Sequence, residues 1–294
     1  MNGPDVRASA VNLPPLPQTT RRHRRYGLWG QLALHGSLAL GAVVILLPFV
    51  LMLLTSFKFE ADVFAPGLLP PEWTLDSYRT VLDRLDFWHY YRNGIIVTGG
   101  ILTLQLLVTV PAGFALAKLR FRGSRLGLWT VLIALMIPGQ VVALPVYLLI
   151  NRLGLLNTHT ALILPFVGSA FGIFLFRQFF LSVPQEIVDA ARLDGASTFA
   201  LVWRVAAPLA RPAIVAFGIF SVINHWNAFF WPFFVLTDDT AATVPWALAT
   251  FTFDNNRIYA AEQAASVLGI LPMLIGFVLA SRSIVEGVAL SGRG

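Results

Sequence analysis

The stretch from Pro184 to Ser197 reads Pro-Gln-Glu-Ile-Val-Asp-Ala-Ala-Arg-Leu-Asp-Gly-Ala-Ser, and it differs from the sequence on either side of it. It is charged and rich in alanine, whereas the 294-residue chain is 56% hydrophobic and only 12% charged. An ordinary soluble domain has about 25% charged residues. The composition therefore excludes a soluble globular fold and indicates a membrane protein with an ordered polar loop.

Six long segments around this loop contain no Asp, Glu, Lys or Arg. They cover residues 32–57, 93–117, 126–151, 153–176, 212–237 and 263–281. A helix needs about 20 apolar residues to cross a bilayer core, and a helix satisfies its own backbone hydrogen bonds there. The sequence therefore predicts an all-α protein with six transmembrane helices. A further uncharged stretch, 240–253, is too short to span and is predicted to be a re-entrant or loop piece.

The basic residues predict the orientation of these helices. If the N-terminus is cytoplasmic, 15 of the 21 Lys and Arg residues fall in inner segments. Because cytoplasmic loops carry an excess of Lys and Arg, both termini and the Pro184–Ser197 stretch are predicted to be cytoplasmic. Residues 1–30 are predicted to be a flexible basic arm, and residues 31–294 the six-helix domain. Residues 74–86 of the outer loop show helical spacing and are predicted to form a short surface helix.

The polar loop itself has the pattern of a short capped helix. Ser182 and Gln185 match a capping box, which predicts a helix that begins near Val183. Gly195 is placed to end it with a positive φ, and a second helical stretch is predicted over 196–206. One predicted face has almost no side-chain bulk and is flanked by acids. Its members are Ile187, Ala190, Ala191 and Asp194, with Glu186 and Asp189 beside them.

Two interpretations of this face are open. A partner protein can approach small side chains closely, and the acids would supply anionic contacts. Alternatively, the helix lies on lipid headgroups. Surface helices of that kind carry large apolar residues and Lys or Arg, whereas the flanking charges here are acidic. The pattern favours a docking surface for a protein.

The polar loop and the residues after it resemble a known family. Residues 186–197, with the downstream run Arg204-Val-Ala-Ala-Pro-Leu-Ala-Arg-Pro212, resemble the EAA loop of membrane subunits of ATP-binding-cassette importers. Asp189 stands where that family usually has Glu. Four further stretches resemble its maltose-type carbohydrate branch: Thr55–Lys58, Trp73–Tyr78, Arg92–Gly94 and Val285–Val288. The last residues, 291–294, depart from the lysine-glycine ending usual in the family.

The resemblance implies a type I importer transmembrane domain of the MetI-like architecture, in the bacterial cytoplasmic (inner) membrane. The implied function is import of a mono- or oligosaccharide from an extracytoplasmic solute-binding protein. The implied partners are a second related membrane subunit, two ATPase subunits and membrane lipid. The loop 180–211 would contact an ATPase. The residues implied for that contact are Glu186, Asp189, Ala190, Ala191, Asp194, Gly195 and Ala196.

The sequence around the two lysines predicts that the energy for transport comes from another subunit. The chain has only Lys58 and Lys118, and neither follows the glycine-rich pattern of a phosphate-binding loop. The chain is therefore predicted to be non-catalytic and to bind no cofactor, with ATP and Mg used by the partner ATPase. An ion-coupled transporter would need ionisable groups in its spans, and the six segments contain no carboxylate, lysine or arginine.

The fifth segment holds the candidates for the translocation pathway, Asn224, Trp226, Asn227 and Trp231. Asparagine can hydrogen-bond hydroxyl groups, and tryptophan can stack on a sugar ring. The alternative is interhelical hydrogen bonding with an interfacial aromatic belt. The spans contain no closely spaced histidine pair and no acid cluster, so the sequence predicts no metal site. The basic residues flank apolar runs, so nucleic acid is not a predicted partner.

Other functions stay open at this stage. The same machinery is compatible with glycerol phosphate or a polyol as the solute. From a different class, a membrane scaffold or an enzyme that does not transport is the alternative. Gly168 and Gly172 form a small-xxx-small pair, which predicts close approach of another helix.

Overall fold

The computed structural model describes residues 28–253 and 258–291, except the side chains of 28, 253 and 277–291. Every regular element in these ranges is helical, which confirms the all-α fold class. The α-helices are α1 (Leu28–Thr55), α2 (Asp76–Arg84), α3 (Phe87–Lys118), α4 (Ser124–Met136), α5 (Gly139–Arg152), α6 (His159–Ile163), α7 (Ala170–Ser182), α8 (Gln185–Leu193), α9 (Thr198–Ala200), α10 (Ala207–Leu209), α11 (Arg211–Trp226), α12 (Phe230–Val235), α13 (Val244–Phe253) and α14 (Tyr259–Ser291). Short 3₁₀ turns occupy Glu60–Asp62 and Leu164–Phe166. Most of the predicted arm, residues 1–27, lies outside the described residues.

Up to six helical segments in these ranges are long and apolar enough to cross a membrane. Three are single helices, Trp29–Thr55, Phe87–Lys118 and Tyr259–Gly276. The other three are helix pairs with a bend at a short break. They are α4 with α5, bent by 102°, His159–Phe166 with α7, bent by 42°, and Thr198–Leu209 with α11, bent by 81°. The predicted number of spans agrees with this set.

Three of the predicted spans are interrupted helices. Segment 126–151 breaks at Pro138, whose backbone is extended with ψ 134°. Segment 153–176 begins with turns, and its helix starts only at His159. Segment 212–237 is helical to Trp226, and α12 then forms a separate helix. Proline lacks the backbone N–H and disfavours helical backbone before it, which accounts for the break at Pro138.

The short outer helices agree with the sequence pattern. Helix α2 lies within the predicted range 74–86 and buries Ser77 and Val81, while Leu75 and Leu82 are exposed. Helix α13 has ten residues, too few to span a bilayer. The uncharged stretch 240–253 is therefore too short to span, as predicted, and most of it is helical.

By its internal contacts the chain divides into two units, residues 1–48 and 49–294. The described part of the first unit is most of α1, residues 28–48, and its side chains are nearly all exposed. The second unit contains two hydrophobic clusters. The outer cluster, named for its predicted side of the membrane, includes Val97, Ile101, Leu162, Trp226 and Trp231. The inner cluster includes Val110, Phe114, Phe176, Phe180, Val188, Leu201 and Phe217.

Glycines allow close packing around the inner cluster. A Cβ atom at Gly113 would lie 2.6 Å from Cβ of Phe176, and one at Gly172 would lie 2.7 Å from the ring of Phe217. Nothing lies within 4 Å of the corresponding position at Gly168. The predicted close approach is therefore confirmed at Gly172 and wrong at Gly168. Helix α3 meets α7 closely at Gly113, a position that the sequence pattern did not single out.

The segment between α12 and α13 is held by side chains from distant parts of the chain. The Thr237 N–H donates to Oδ1 of Asn157 at 2.6 Å. The carbonyl of Asp239 accepts from Nε2 of His89 at 2.9 Å, and that of Ala242 accepts from Nδ2 of Asn93 at 3.0 Å. Asn93 is fully buried. We call residues 236–243 the outer segment; these bonds fix its path.

Candidate coupling site

Helix α8 begins two residues later than the capping box predicted. Ser182 is the last residue of α7, and its hydroxyl donates to the Phe179 carbonyl at 2.7 Å. The residue before α8 is Pro184, which supplies no side-chain cap. The predicted cap is therefore wrong, because a serine at a helix end can bond to a carbonyl of its own preceding turn.

The end of α8 agrees with the prediction. Gly195 has φ +82°, and no atom lies within 4 Å of the position of a Cβ there. The Gly195 N–H donates to the Arg192 carbonyl at 2.9 Å, and the Ala196 N–H donates to the Ala191 carbonyl at 3.0 Å. This pair of bonds is the Schellman motif. The glycine is required by its backbone conformation rather than by crowding.

A buried valine attaches α8 to the rest of the protein. Val188 is 3% exposed and belongs to the inner cluster with Phe180 of α7 and Leu201. Nζ of Lys118, at the end of α3, donates to the Val183 carbonyl just before α8. Close packing transmits displacement because interiors have low compressibility. A force applied to α8 would therefore act on α3 and α7.

The exposed side of α8 differs from the predicted small-residue face. Glu186, Asp189, Ala190, Asp194 and Gly195 are exposed as expected. Ala191 and Ala196, however, are half-buried against the inner cluster. Two large apolar side chains that the sequence reasoning missed are exposed instead. Leu193 is 90% exposed and Phe199 is 74% exposed.

The acids of α8 and of its C-cap, Asp194, are not equivalent. Oδ1 of Asp189 accepts from Nε2 of Gln185 at 3.1 Å and lies 3.9 Å from Nη1 of Arg192. Such an exposed ion pair contributes at most about 1 kcal/mol, but it partly compensates the charge of Asp189. Glu186 and Asp194 form no ion pair with any described residue. They are the carboxylates that α8 leaves available to a partner.

The chain leaves α8 through an irregular helix. Ser197 caps α9, since its hydroxyl oxygen accepts from the Ala200 N–H at 3.3 Å. Residues Leu201–Ala206 then form a π-helical segment, and α10 leads into α11. The predicted second helical stretch, 196–206, is thus helical from Thr198 onward. A π-helical turn is rare and occurs often at functional sites.

The four candidate pathway residues lie in two different environments. Trp226 and Trp231 are 8% and 7% exposed and belong to the outer cluster. The indole N–H of Trp231 donates to the Ala161 carbonyl at 2.9 Å. Asn224 and Asn227 are exposed on the chain surface, and Nδ2 of Asn227 donates to the Ile223 carbonyl. The asparagines are therefore accessible to a solute or a partner, whereas the tryptophans pack internally.

Residues 109–285 match the family described as binding-protein-dependent transport system inner membrane component. The chain belongs to this family. The matched range contains the whole loop 180–211 and all four candidate pathway residues. This permease is thus a membrane component of a transport system, as the sequence resemblance implied.

Relatives and a solved structure agree with this assignment. The permease is 32% identical to the arabinooligosaccharides transport system permease protein AraQ of Halalkalibacterium halodurans, over 85% of this chain and 92% of that one. It is 30% identical to the diacetylchitobiose uptake system permease protein NgcG of Streptomyces coelicolor, over 87% and 86%. It is 30% identical to the sn-glycerol-3-phosphate transport system permease protein UgpE of Salmonella typhi, over 86% and 94%. A bacterial ABC transporter involved in import of the acidic polysaccharide alginate matches with a TM-score of 0.78 and 26% identity, over 86% of this chain and 95% of that one.

Proposed function

We propose that this permease is one transmembrane subunit of an ATP-driven importer. It moves a mono- or oligosaccharide from an extracytoplasmic binding protein across the cytoplasmic membrane. The geometry of α8 supports the proposal most directly. A helix fixed to the inner cluster by Val188 presents Leu193 and two uncompensated carboxylates outward. The names of the arabinooligosaccharide and diacetylchitobiose relatives support a carbohydrate as the solute.

In this proposal the permease does no chemistry on ATP. Two ATPase subunits bind ATP and Mg and close on each other, and one of them displaces α8. Val188 and the Lys118 contact carry that displacement to α7 and α3. A second related membrane subunit completes the path, which opens alternately outward and inward. Asn224 and Asn227 are the side chains proposed to face the solute.

Glycerol phosphate is the second candidate solute, since one relative is named for sn-glycerol-3-phosphate transport. A phosphate group is recognised most strongly by Arg and Lys. The six uncharged segments contain neither residue. Neutral hydroxyl groups can be bound by asparagine amides without a cation, so the chain favours a carbohydrate.

Co-purification of the tagged permease from its native membranes tests this proposal. We expect an ATPase, a second permease and a solute-binding protein to be recovered with it. In the reconstituted complex, a panel of sugars and glycerol phosphate is then added with the binding protein, and ATP hydrolysis is measured. Stimulation by a sugar supports the proposal. Stimulation by glycerol phosphate alone would support the second candidate, and recovery of no ATPase would contradict both.

The contact itself can be located by cross-linking, because the chain has no cysteine. A single cysteine in place of Ala190 should cross-link to the ATPase subunit. A single cysteine in place of Phe121, which is exposed in the turn after α3, serves as the matched control. Equal cross-linking at the two positions would show that α8 is not the specific contact.

A further inference from the structure

A buried polar layer separates the two hydrophobic clusters of the second unit. On α3, Gln105 lies between Ile101 of the outer cluster and Val110 of the inner cluster. On α11, Ser221 lies between Trp226 of the outer cluster and Phe217 of the inner cluster. Gln105 and Ser221 are 4% and 1% exposed. The fully buried members of the two clusters lie on opposite sides of this level, and the half-buried side chain of Leu102 packs against the inner cluster.

Hydrogen bonds in the layer join three parts of the chain. Nε2 of Gln105 donates to the carbonyl of Phe166 at 2.9 Å, and its Oε1 accepts from the Ser221 hydroxyl at 2.7 Å. His225 is also buried, and its Nδ1 donates to the Ser221 carbonyl at 2.7 Å. The amide of Gln105 therefore joins α11 to the Phe166 carbonyl, at the end of the helical segment that precedes α7.

Two of the connected helices are weakened at this level. The 42° bend of the fourth span follows directly after Phe166, between the 3₁₀ turn and α7. In α3, Pro111 lies six residues beyond Gln105 and removes the helical hydrogen bond to the Leu107 carbonyl. A broken span is tolerated in a membrane only where neighbouring groups satisfy the freed backbone. Gln105 supplies such a group for Phe166.

Close-packed clusters move as bodies, and the joints between them are a few residues at element ends. The inner cluster carries Val188 and hence α8, whereas the outer cluster carries the outer segment through Ala241 and Ala242. We propose that the layer of Gln105, Ser221 and His225 is the hinge about which the inner cluster rotates against the outer cluster during transport. Gln105 acts as the positioning residue of that hinge, because its two bonds set the register of the bend.

This inference rests on the proposed transport function, and its test separates the two. In the reconstituted complex, spin labels on cysteines replacing Leu181 and Asp238 report the distance between the clusters. Both positions are exposed; Leu181 adjoins Phe180 of the inner cluster and Asp238 lies in the outer segment. The complex that carries only these two labelled cysteines is called the parent. We expect this distance to differ between its nucleotide-free and vanadate-trapped states.

The variant Gln105→Met with Ser221→Ala removes both partners of the Gln105–Ser221 bond together, so neither of these two side chains is left unpaired. The Phe166 carbonyl loses its bond from Gln105, which is the contact under test. We expect the nucleotide-dependent shift in distance to disappear and uptake to fall by at least about tenfold, the factor given by 1.4 kcal/mol. The control is Thr103→Val, an exposed residue of α3 whose hydroxyl bonds within its own helix. It should keep both the shift and the uptake rate.

Each outcome of these distance measurements shows whether the polar layer is a hinge or a static packing contact. A variant that keeps the full distance shift, or a parent whose distance never changes, overturns the hinge. If the double variant does not accumulate in membranes, Ser221→Ala alone keeps the Gln105–Phe166 bond and should reduce the shift. A normal shift in that single variant also overturns the inference. A parent complex that shows the shift but moves no sugar would instead overturn the proposed solute.

Discussion

Glu60 and Tyr259 lie 199 residues apart, yet Oε1 of Glu60 accepts a hydrogen bond from the backbone N–H of Tyr259 at 2.9 Å. Oε2 of the same carboxylate accepts from the N–H of Ala260, also at 2.9 Å. The first N–H groups of a helix have no partner within it, and a negative charge there is favoured by the helix dipole. The loop after α1 therefore supplies the N-terminal cap of α14.

Replacing this cap should destabilise the protein. We expect Glu60→Ala to lower the free energy of unfolding by about 1 kcal/mol, which corresponds to a fall of about 2–4 °C in Tm for a chain of this size. Thermal unfolding in detergent measures the effect. The control is Glu72→Ala, an exposed acid of the same loop. An equal loss of stability in both variants would contradict the capping role.

The positive φ of Gly195 predicts a graded series of substitutions. Asparagine tolerates left-handed backbone, whereas a β-branched residue is strained there, at a cost of about 1–3 kcal/mol. We expect Gly195→Asn to retain most of the uptake activity and Gly195→Val to lose it, with normal membrane insertion in both. Uptake assays together with immunoblots of the membrane fraction separate activity from insertion. Normal uptake by Gly195→Val would exclude a requirement for the Schellman motif.

Leu193 and Phe199 should contribute most of the apolar contact with the ATPase. Truncating a side chain in the well-packed centre of an interface can cost more than about 1 kcal/mol of binding free energy. We expect Leu193→Ala and Phe199→Ala each to weaken ATPase binding by about tenfold, which equals roughly 1.4 kcal/mol. Both side chains are exposed in the free chain, so Tm should not change. Phe121→Ala is the control for loss of an exposed phenylalanine, and no weakening in either test variant would exclude these contacts.

The two environments of the pathway candidates predict two different phenotypes. If Asn224 and Asn227 face the solute as proposed, alanine at both removes hydrogen bonds worth about 0.5–1.5 kcal/mol each, so KM for uptake should rise with no change in Tm. Trp231→Phe keeps an aromatic ring at this position but loses the indole N–H that donates to the Ala161 carbonyl. It should lower Tm and leave KM unchanged. An unchanged KM in the asparagine variant would assign those residues a structural role.

Features that depend on neighbouring residues could be predicted from the sequence. The positive φ of Gly195 follows from its place after a short, charged, alanine-rich helix. The short length of the uncharged stretch 240–253 indicates that it does not span the membrane. The apolar segments are recognised by their lack of charged residues, because the cost of a charge in the bilayer depends on its transfer free energy alone. These are local properties of the chain.

Features that depend on distant residues could not be predicted in this way. Ser182 has the spacing of a cap, but α7 continues to it and its own helix supplies a carbonyl. The burial of Val188 rather than Ala190 depends on where Phe180 and Leu201 lie. Likewise, no local pattern indicates that Gln105 reaches the carbonyl of Phe166, 61 residues away.

The outer segment has a consequence for any macromolecule that binds on the predicted outer side of the membrane. Its residues Thr237–Thr240 are exposed, while its backbone is already bonded to Asn157, His89 and Asn93. A loop that becomes ordered only on association loses conformational entropy, and that loss lowers affinity. Here the ordering occurs when the permease folds. A partner that contacts this segment meets a preorganised surface, so its dissociation rate depends on the contacts made rather than on loop ordering.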